Sequence, residues 1–250
     1  MPATWTPAFD FYLATKSGDR LFQRIDMEAR QHAPVSTHPL ALFVDVTMSK
    51  PRDDGLRSEE ETDELFDYEA ALVHMVEDLV DGIFWGLRMI NGICSFQFSV
   101  PPGEGADIVR TLAPILDIPG YRPTVRIAQD PTWTHYADAF PGDFHRQTMY
   151  NRGVQLALEE AGDSLKKRRR IDHSTIFPSA EEANRAVPGL RRAKFRGFGI
   201  SESDGDGTML TFQRRDACDG NTPNDTMTEI LDIVEPLGGS YDGWGCLAQK

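Results

Sequence analysis

The sequence predicts an α+β protein of two domains, each an antiparallel sheet with helices laid on it in the split βαβ, or ferredoxin-like, plan. Three observations predict it. The 250 residues exceed the common size of one domain. From Ile171 onward the local signals run strand, helix, strand, strand, helix, strand, and the first half gives a decorated version of that order. Asn91-Gly92 and Asp204-Gly205-Asp206-Gly207 are hairpin signals, and hairpins make neighbouring strands antiparallel.

In the first half, Phe9 to Leu13 reads as a strand, Lys16 to Asp19 as a turn, and Leu21 to Met27 as the returning strand. Leu40 to Val46 is an apolar run of buried-strand length. Ser58 with Glu61 three residues on fits a capping box. Leu65, Tyr68, Leu72, Met75 and Leu79 then recur at helical spacing. Ile83 to Leu87 and Ile93 to Val100 flank Asn91-Gly92 as two strands. Val109, Leu112, Ala113 and Leu116 suggest a second helix disturbed by Pro114, and Tyr121 to Ile127 a closing strand.

The second half begins with a helix around Arg146 to Ala161, with Val154, Leu158, Ala161 and Leu165 as its apolar stripe. Ile171 to Phe177 is a strand, and Ser179 with Glu182 forms a second capping box. The helix behind it should be kinked or shortened by Pro188. Phe195 to Ile200 and Thr208 to Phe212 read as strands. Thr222-Pro223 starts a last helix that ends at Gly238-Gly239, and Tyr241 to Ala248 can close the sheet. The domains are placed at residues 1–140 and 146–250, joined near 137–147.

Composition narrows the function classes. No stretch approaches the roughly 20 apolar residues of a membrane helix, and Met1-Pro2-Ala3-Thr4-Trp5 lacks the pattern of a secretion signal. Cys94, Cys218 and Cys246 are odd in number and far apart in sequence, which argues against a disulfide framework. The cytoplasm is the expected location. The net charge of −13 is concentrated in residues 1–145, which carry 23 acidic and 11 basic side chains. That balance counts against direct binding of nucleic acid. The six histidines show no zinc spacing, and no phosphate loop or nucleophile elbow occurs, so no cofactor and no metal are expected.

The second half carries Ile171-Asp172-His173, Phe177-Pro178, a capped helix, a hairpin, and finally Gly238-Gly239-Ser240-Tyr241-Asp242-Gly243-Trp244. Over residues 146–250 this order resembles the family of regulator of ribonuclease E activity B. The chain departs from the family at Ser174, where an aromatic is usual, and at Gly245, where an acid is usual. The resemblance implies a ferredoxin-like bacterial domain that binds an endoribonuclease and restrains RNA decay by protein contact. The first half, opening with Asp10-Phe11-Tyr12-Leu13 and closing with Asp130-Pro131-Thr132-Trp133-Thr134-His135-Tyr136, resembles an uncharacterised bacterial domain often found before such a regulator. That resemblance supplies no activity.

The candidate partner-binding residues are therefore Asp172, His173, Tyr241, Asp242 and Trp244. Adjacent residues of a strand point to opposite faces, so Asp172 and His173 are not expected to form a catalytic pair. In a split βαβ sheet the closing strand runs antiparallel beside the first. The Tyr241–Trp244 motif is accordingly expected near Phe177, away from Asp172. Lys166, Lys167, Arg168, Arg169 and Arg170 form the strongest basic run, either a solvated linker or a patch for an acidic partner. The expectation is a non-catalytic regulator or adaptor that binds another protein. The alternative is an enzyme or sensor with a small-molecule site between the domains, using His173, Asp172 or Asp242 as acid or base.

Overall fold

The computed structural model describes residues 5–103, 105–116, 121–203, 205 and 207–249. Met1 to Thr4 and two residues of the second hairpin signal, Asp204 and Asp206, lie outside the described residues. The chain divides into two compact units, residues 1–145 and 146–250.

Unit 1 contains strands β1 (Phe9–Lys16), β2 (Asp19–Asp26) and β3 (Leu40–Thr47), helix α1 (Thr62–Val80), strands β4 (Ile83–Ile90) and β5 (Ile93–Val100), helix α2 (Gly105–Leu116), strand β6 (Thr124–Gln129) and the short helix α3 (Thr134–Ala139). Its six-stranded sheet runs β1-β2-β4-β5-β3-β6, antiparallel between the paired neighbours. Removing the β1–β2 hairpin leaves β4-β5-β3-β6, the strand order of the split βαβ plan. Period-two alternation sorts each strand between two cores. Leu42, Val44 and Val46 pack under α1 and α2, while Ala41 and Phe43 face a second cluster with Trp85, Trp133 and Tyr136.

The Asn91-Gly92 turn forms as expected, with φ of 51° and 75° at its two residues. The capping box at Ser58 does not form. The helix starts four residues later, at Thr62, and Glu61 is buried instead, accepting from the backbone N–H groups of Ser49 and Lys50 and the hydroxyls of Ser49 and Tyr121. The buried stripe of α1 ends on Val76 rather than Leu79, which is 61% exposed. On α2 the buried residues are Ile108, Leu112 and Ile115, so Val109 and Ala113 face outward.

Unit 2 comprises helix α4 (Asp143–Glu160, entering from unit 1), strand β7 (Arg169–Phe177), helix α5 (Ala180–Arg192), strands β8 (Arg196–Glu202) and β9 (Thr208–Asp216), helix α6 (Thr222–Val234) and strand β10 (Ser240–Gly245). Its sheet order, β10-β7-β9-β8, is the full split βαβ arrangement. Phe177, Leu190, Phe195, Leu210, Phe212, Ile230 and Val234 form the core between the sheet and α5 and α6.

Pro188 does not shorten α5, since the helix runs through it to Arg192. Pro188 lies on the exposed face, where water can take up the carbonyl that loses its helical partner. Pro114 in α2 is likewise exposed. Ser179 does cap α5, accepting from the Glu181 N–H at 3.2 Å and donating to Glu182. Among the described residues, no helix is long and apolar enough to cross a membrane.

Candidate functional site

The two sequence motifs of unit 2 lie side by side, which corrects the expected separation. Trp244 stands opposite His173 and Gly245 opposite Asp172, while Tyr241 pairs with Thr175. An extra residue in β10, Asp242, bulges out between Tyr241 and Gly243. Gly243 accommodates it with a φ of +125°, a conformation that L side chains rarely adopt. The bulge also decides side-chain direction. Tyr241 and Trp244 are an odd number of residues apart and would point oppositely on a regular strand. With one residue looped out, both turn to the helix-covered face.

On that face His173 is only 4% exposed, among the rings of Phe195, Phe212 and Tyr241. Its Nδ1 lies 2.8 Å from the Tyr241 hydroxyl, and its buried Nε2 has no hydrogen-bond partner. Burial is the main cause that lowers its pKa to about 4, and the nearby Arg214 guanidinium lowers it further. Arg214 is held by Asp216 and Glu229, with its guanidinium 4.2 Å from the centre of the Phe195 ring. Burial raises the Tyr241 phenol well above its usual pKa, so that group stays protonated.

Trp244, 6% exposed, packs with Leu158, Leu165, Ile171 and Cys218, and its Nε1 donates to Asn151 Oδ1 at 2.9 Å. Asn151 is itself 1% exposed on α4, donates to Asn224 Oδ1 at 2.8 Å, and thereby ties α4 to α6 and β10. Sequence reasoning missed Asn151. Its signal was a polar residue three before Val154 and seven before Leu158, within the stripe read as apolar.

The opposite, open face carries Asp172, Ser174 and Asp242. Ser174 Oγ donates to Asp242 Oδ2 at 2.9 Å, so the departure at 174 supplies a bond across the seam. Asp172 accepts from Arg170 at 2.8 Å. Beside the seam a cavity of about 480 Å³ is lined by Tyr150, Asp172, Ser174, Thr211, Asp242 and Gly243, among others.

Arg169 does not belong to an exposed basic patch. Its side chain is 1% exposed and forks onto the buried Asp163 carboxylate, which also accepts from the N–H groups of Leu165 and Gln249. The Arg169 guanidinium and these N–H donors hold Asp163 well below the usual carboxylate range. Strand alternation explains the split between Arg169 and Arg170, because Arg170 points away from the face that Arg169 joins. Arg168 bonds the Arg215 carbonyl at 2.7 Å and pairs with Asp216 on β9, while Lys166, Lys167 and Arg170 are the other exposed cations of the run.

As chemistry, this arrangement separates its titratable groups. Asp172 and His173 point to opposite faces, as expected, and His173 is enclosed by aromatic rings. Among the described residues no cluster of three or more His, Cys, Asp or Glu side chains could hold a metal ion.

Residues 148–246 match the family described as Regulator of ribonuclease activity B, and residues 8–140 match the Family of unknown function (DUF695). A search of the curated proteins found no match. Among solved structures, the crystal structure of an unknown protein from Galdieria sulphuraria is similar at 11% identity, over 82% of this chain and 96% of that one. Its TM-score of 0.22 is too low to carry any argument.

Proposed function

We propose, for a chain that belongs to the DUF695 family through residues 8–140 and matches Regulator of ribonuclease activity B over 148–246, a non-catalytic regulator that works by binding another protein. The partner class is a ribonuclease, as that second family's description suggests. The docking surface is the open face of the unit 2 sheet, at the seam between β7 and β10.

One observation carries this reading. The bulge at Asp242 divides the two motifs by face, with His173 and Trp244 buried and Tyr241 half-buried on one side, and Asp172 and Asp242 exposed with Ser174 half-exposed on the other. The buried set holds the strand pair rigid, and the exposed set offers fixed hydrogen-bonding groups to a partner. Arg170 pairs with Asp172 among these acids, so the surface has charges of both signs and suits a protein better than a polyanion.

The test uses the purified chain, an endoribonuclease of the ribonuclease E type and a labelled RNA. The chain is expected to bind the enzyme and slow cleavage. Asp242→Lys, which removes the Ser174 acceptor and reverses charge on an exposed side chain, is expected to weaken binding about tenfold or more. Far-ultraviolet circular dichroism should show the variant folded. Equal affinity of parent and folded variant would remove the seam from the account. A salt-sensitive RNA gel shift that depends on Arg168 and Arg170, with no effect on the enzyme, would replace protein binding with RNA binding.

A further inference from the structure

The outer sheet face of unit 1 holds a cavity of about 340 Å³, within the common range for small-molecule sites (roughly 300–1,000 Å³). Its floor comes from several strands in register. Tyr12 pairs with Gln23 and Gln23 with Arg88, while Phe43 pairs with both Gln97 and Arg126. Directly opposed residues share a face, so these side chains point to one side of the sheet. Residues of α3, including His135 and Asp138, form one wall, and Lys16 also lines the cavity.

The lining is polar where a structural core would be apolar. Gln23 and Gln97, 1% and 2% exposed, are hydrogen-bonded to each other, Gln23 Nε2 donating to Gln97 Oε1 at 2.9 Å. Gln97 thus spends its acceptor on Gln23 and still has its own amide N–H groups to offer. Arg126 is neutralised by Asp45 at 2.8 Å and lies over the Phe43 ring. Arg88 is different. Its Nε is fully buried without a hydrogen-bond partner, and among the described residues no carboxylate pairs with it.

Arg88 as a whole is half-buried, but a guanidinium stays charged at any working pH, and leaving its buried Nε–H without an acceptor is costly. Carboxylates outnumber cations by about two to one in residues 1–145, yet among the described residues none pairs with Arg88. We propose that this cavity binds the oxyanion group of a small polar molecule, with the Arg88 guanidinium as its principal contact, Gln97 donating beside it and Lys16 adding charge. Carboxylate and phosphate share the required chemistry, since each can take two parallel N–H bonds from a guanidinium. The site lies wholly within unit 1 and is independent of the ribonuclease proposal.

Calorimetric titration of the full chain at low ionic strength tests it, with inorganic phosphate in one arm and succinate in the other. Saturable binding in at least one arm is expected, and the arm that binds more tightly identifies the source of the oxyanion. Arg88→Gln is expected to weaken that binding about tenfold or more, in keeping with loss of a hydrogen bond to a charged group. Arg110→Gln, on an exposed part of α2, should leave it unchanged. If Arg88→Gln fails to fold, Lys16→Gln provides the second reading and should lower affinity in both arms. No saturable heat in either arm, or equal binding by a folded Arg88→Gln or Lys16→Gln variant, would overturn the site.

Discussion

Lowering the pH from about 6.5 to 4 is expected to remove about 3 kcal/mol of unit 2 stability through His173 alone. In the unfolded chain the imidazole gains a proton near 6.5, whereas the folded protein resists protonation until about pH 4. Between those values the unfolded state binds more protons, so stability falls as pH falls. Above 6.5 both states are neutral, below 4 both are charged, and the contribution is flat. The charged groups acting on the ring are Arg214, which lowers its pKa, and Asp216 and Asp172, which raise it, all of them secondary to burial. His173→Phe should cost about 1–2 kcal/mol at neutral pH by leaving the Tyr241 hydroxyl unpaired. Its stability should nevertheless lose the slope that the parent shows between pH 6.5 and 4. Amide hydrogen exchange along β7, followed over that range in both proteins, measures the difference. Parallel pH profiles for parent and variant would mean that His173 titrates near its ordinary value.

In unit 1, Glu61→Ala is expected to cost about 3–5 kcal/mol. The carboxylate accepts two backbone N–H groups and two hydroxyls at 2.6–3.1 Å, and the substitution would strand these donors in a nearly dry site. Glu61→Gln should cost less, because it keeps one acceptor oxygen. Urea unfolding followed by near-ultraviolet circular dichroism would rank the three proteins. A loss below about 1 kcal/mol for the alanine variant would show that water replaces the carboxylate without penalty.

These two side chains also show how far the sequence could be read. Strand and helix order was legible because local rules decide it, as at Asn91-Gly92, whose left-handed conformation permits little besides a tight hairpin. The Ser58–Glu61 pair satisfied an equally local rule and failed. Ser49, Lys50 and Tyr121, distant in sequence, offered Glu61 four donors, where a capping box would have offered one. Pro114 and Pro188 did not end their helices, and both fell on solvated faces, which periodicity does reveal. At the seam, the alternation of β7 correctly separated Asp172 from His173. The register of β10 was not legible, since a one-residue bulge reverses every later side chain and leaves only Gly243 as its mark. Arg169 looked like its basic neighbours because its partner, Asp163, comes from outside the run.

The strand order of unit 2 has a consequence for the order in which its parts can be assembled. β7 is an inner strand, flanked by β9 and β10, and the contact between His173 and Tyr241 spans 68 residues of chain. During synthesis the β7–β9 ladder can close while β10 is still unmade. One edge of β7 then remains without a neighbour, and the face later covered by Tyr241 and Trp244 stays wet. Such an edge is a template for strands of other chains. Contacts this distant in sequence are also slow to form, because a long loop must close first. The tight packing of Trp244 against Asn151 is therefore a late event, and the interval before it is when this half is most open to mispairing.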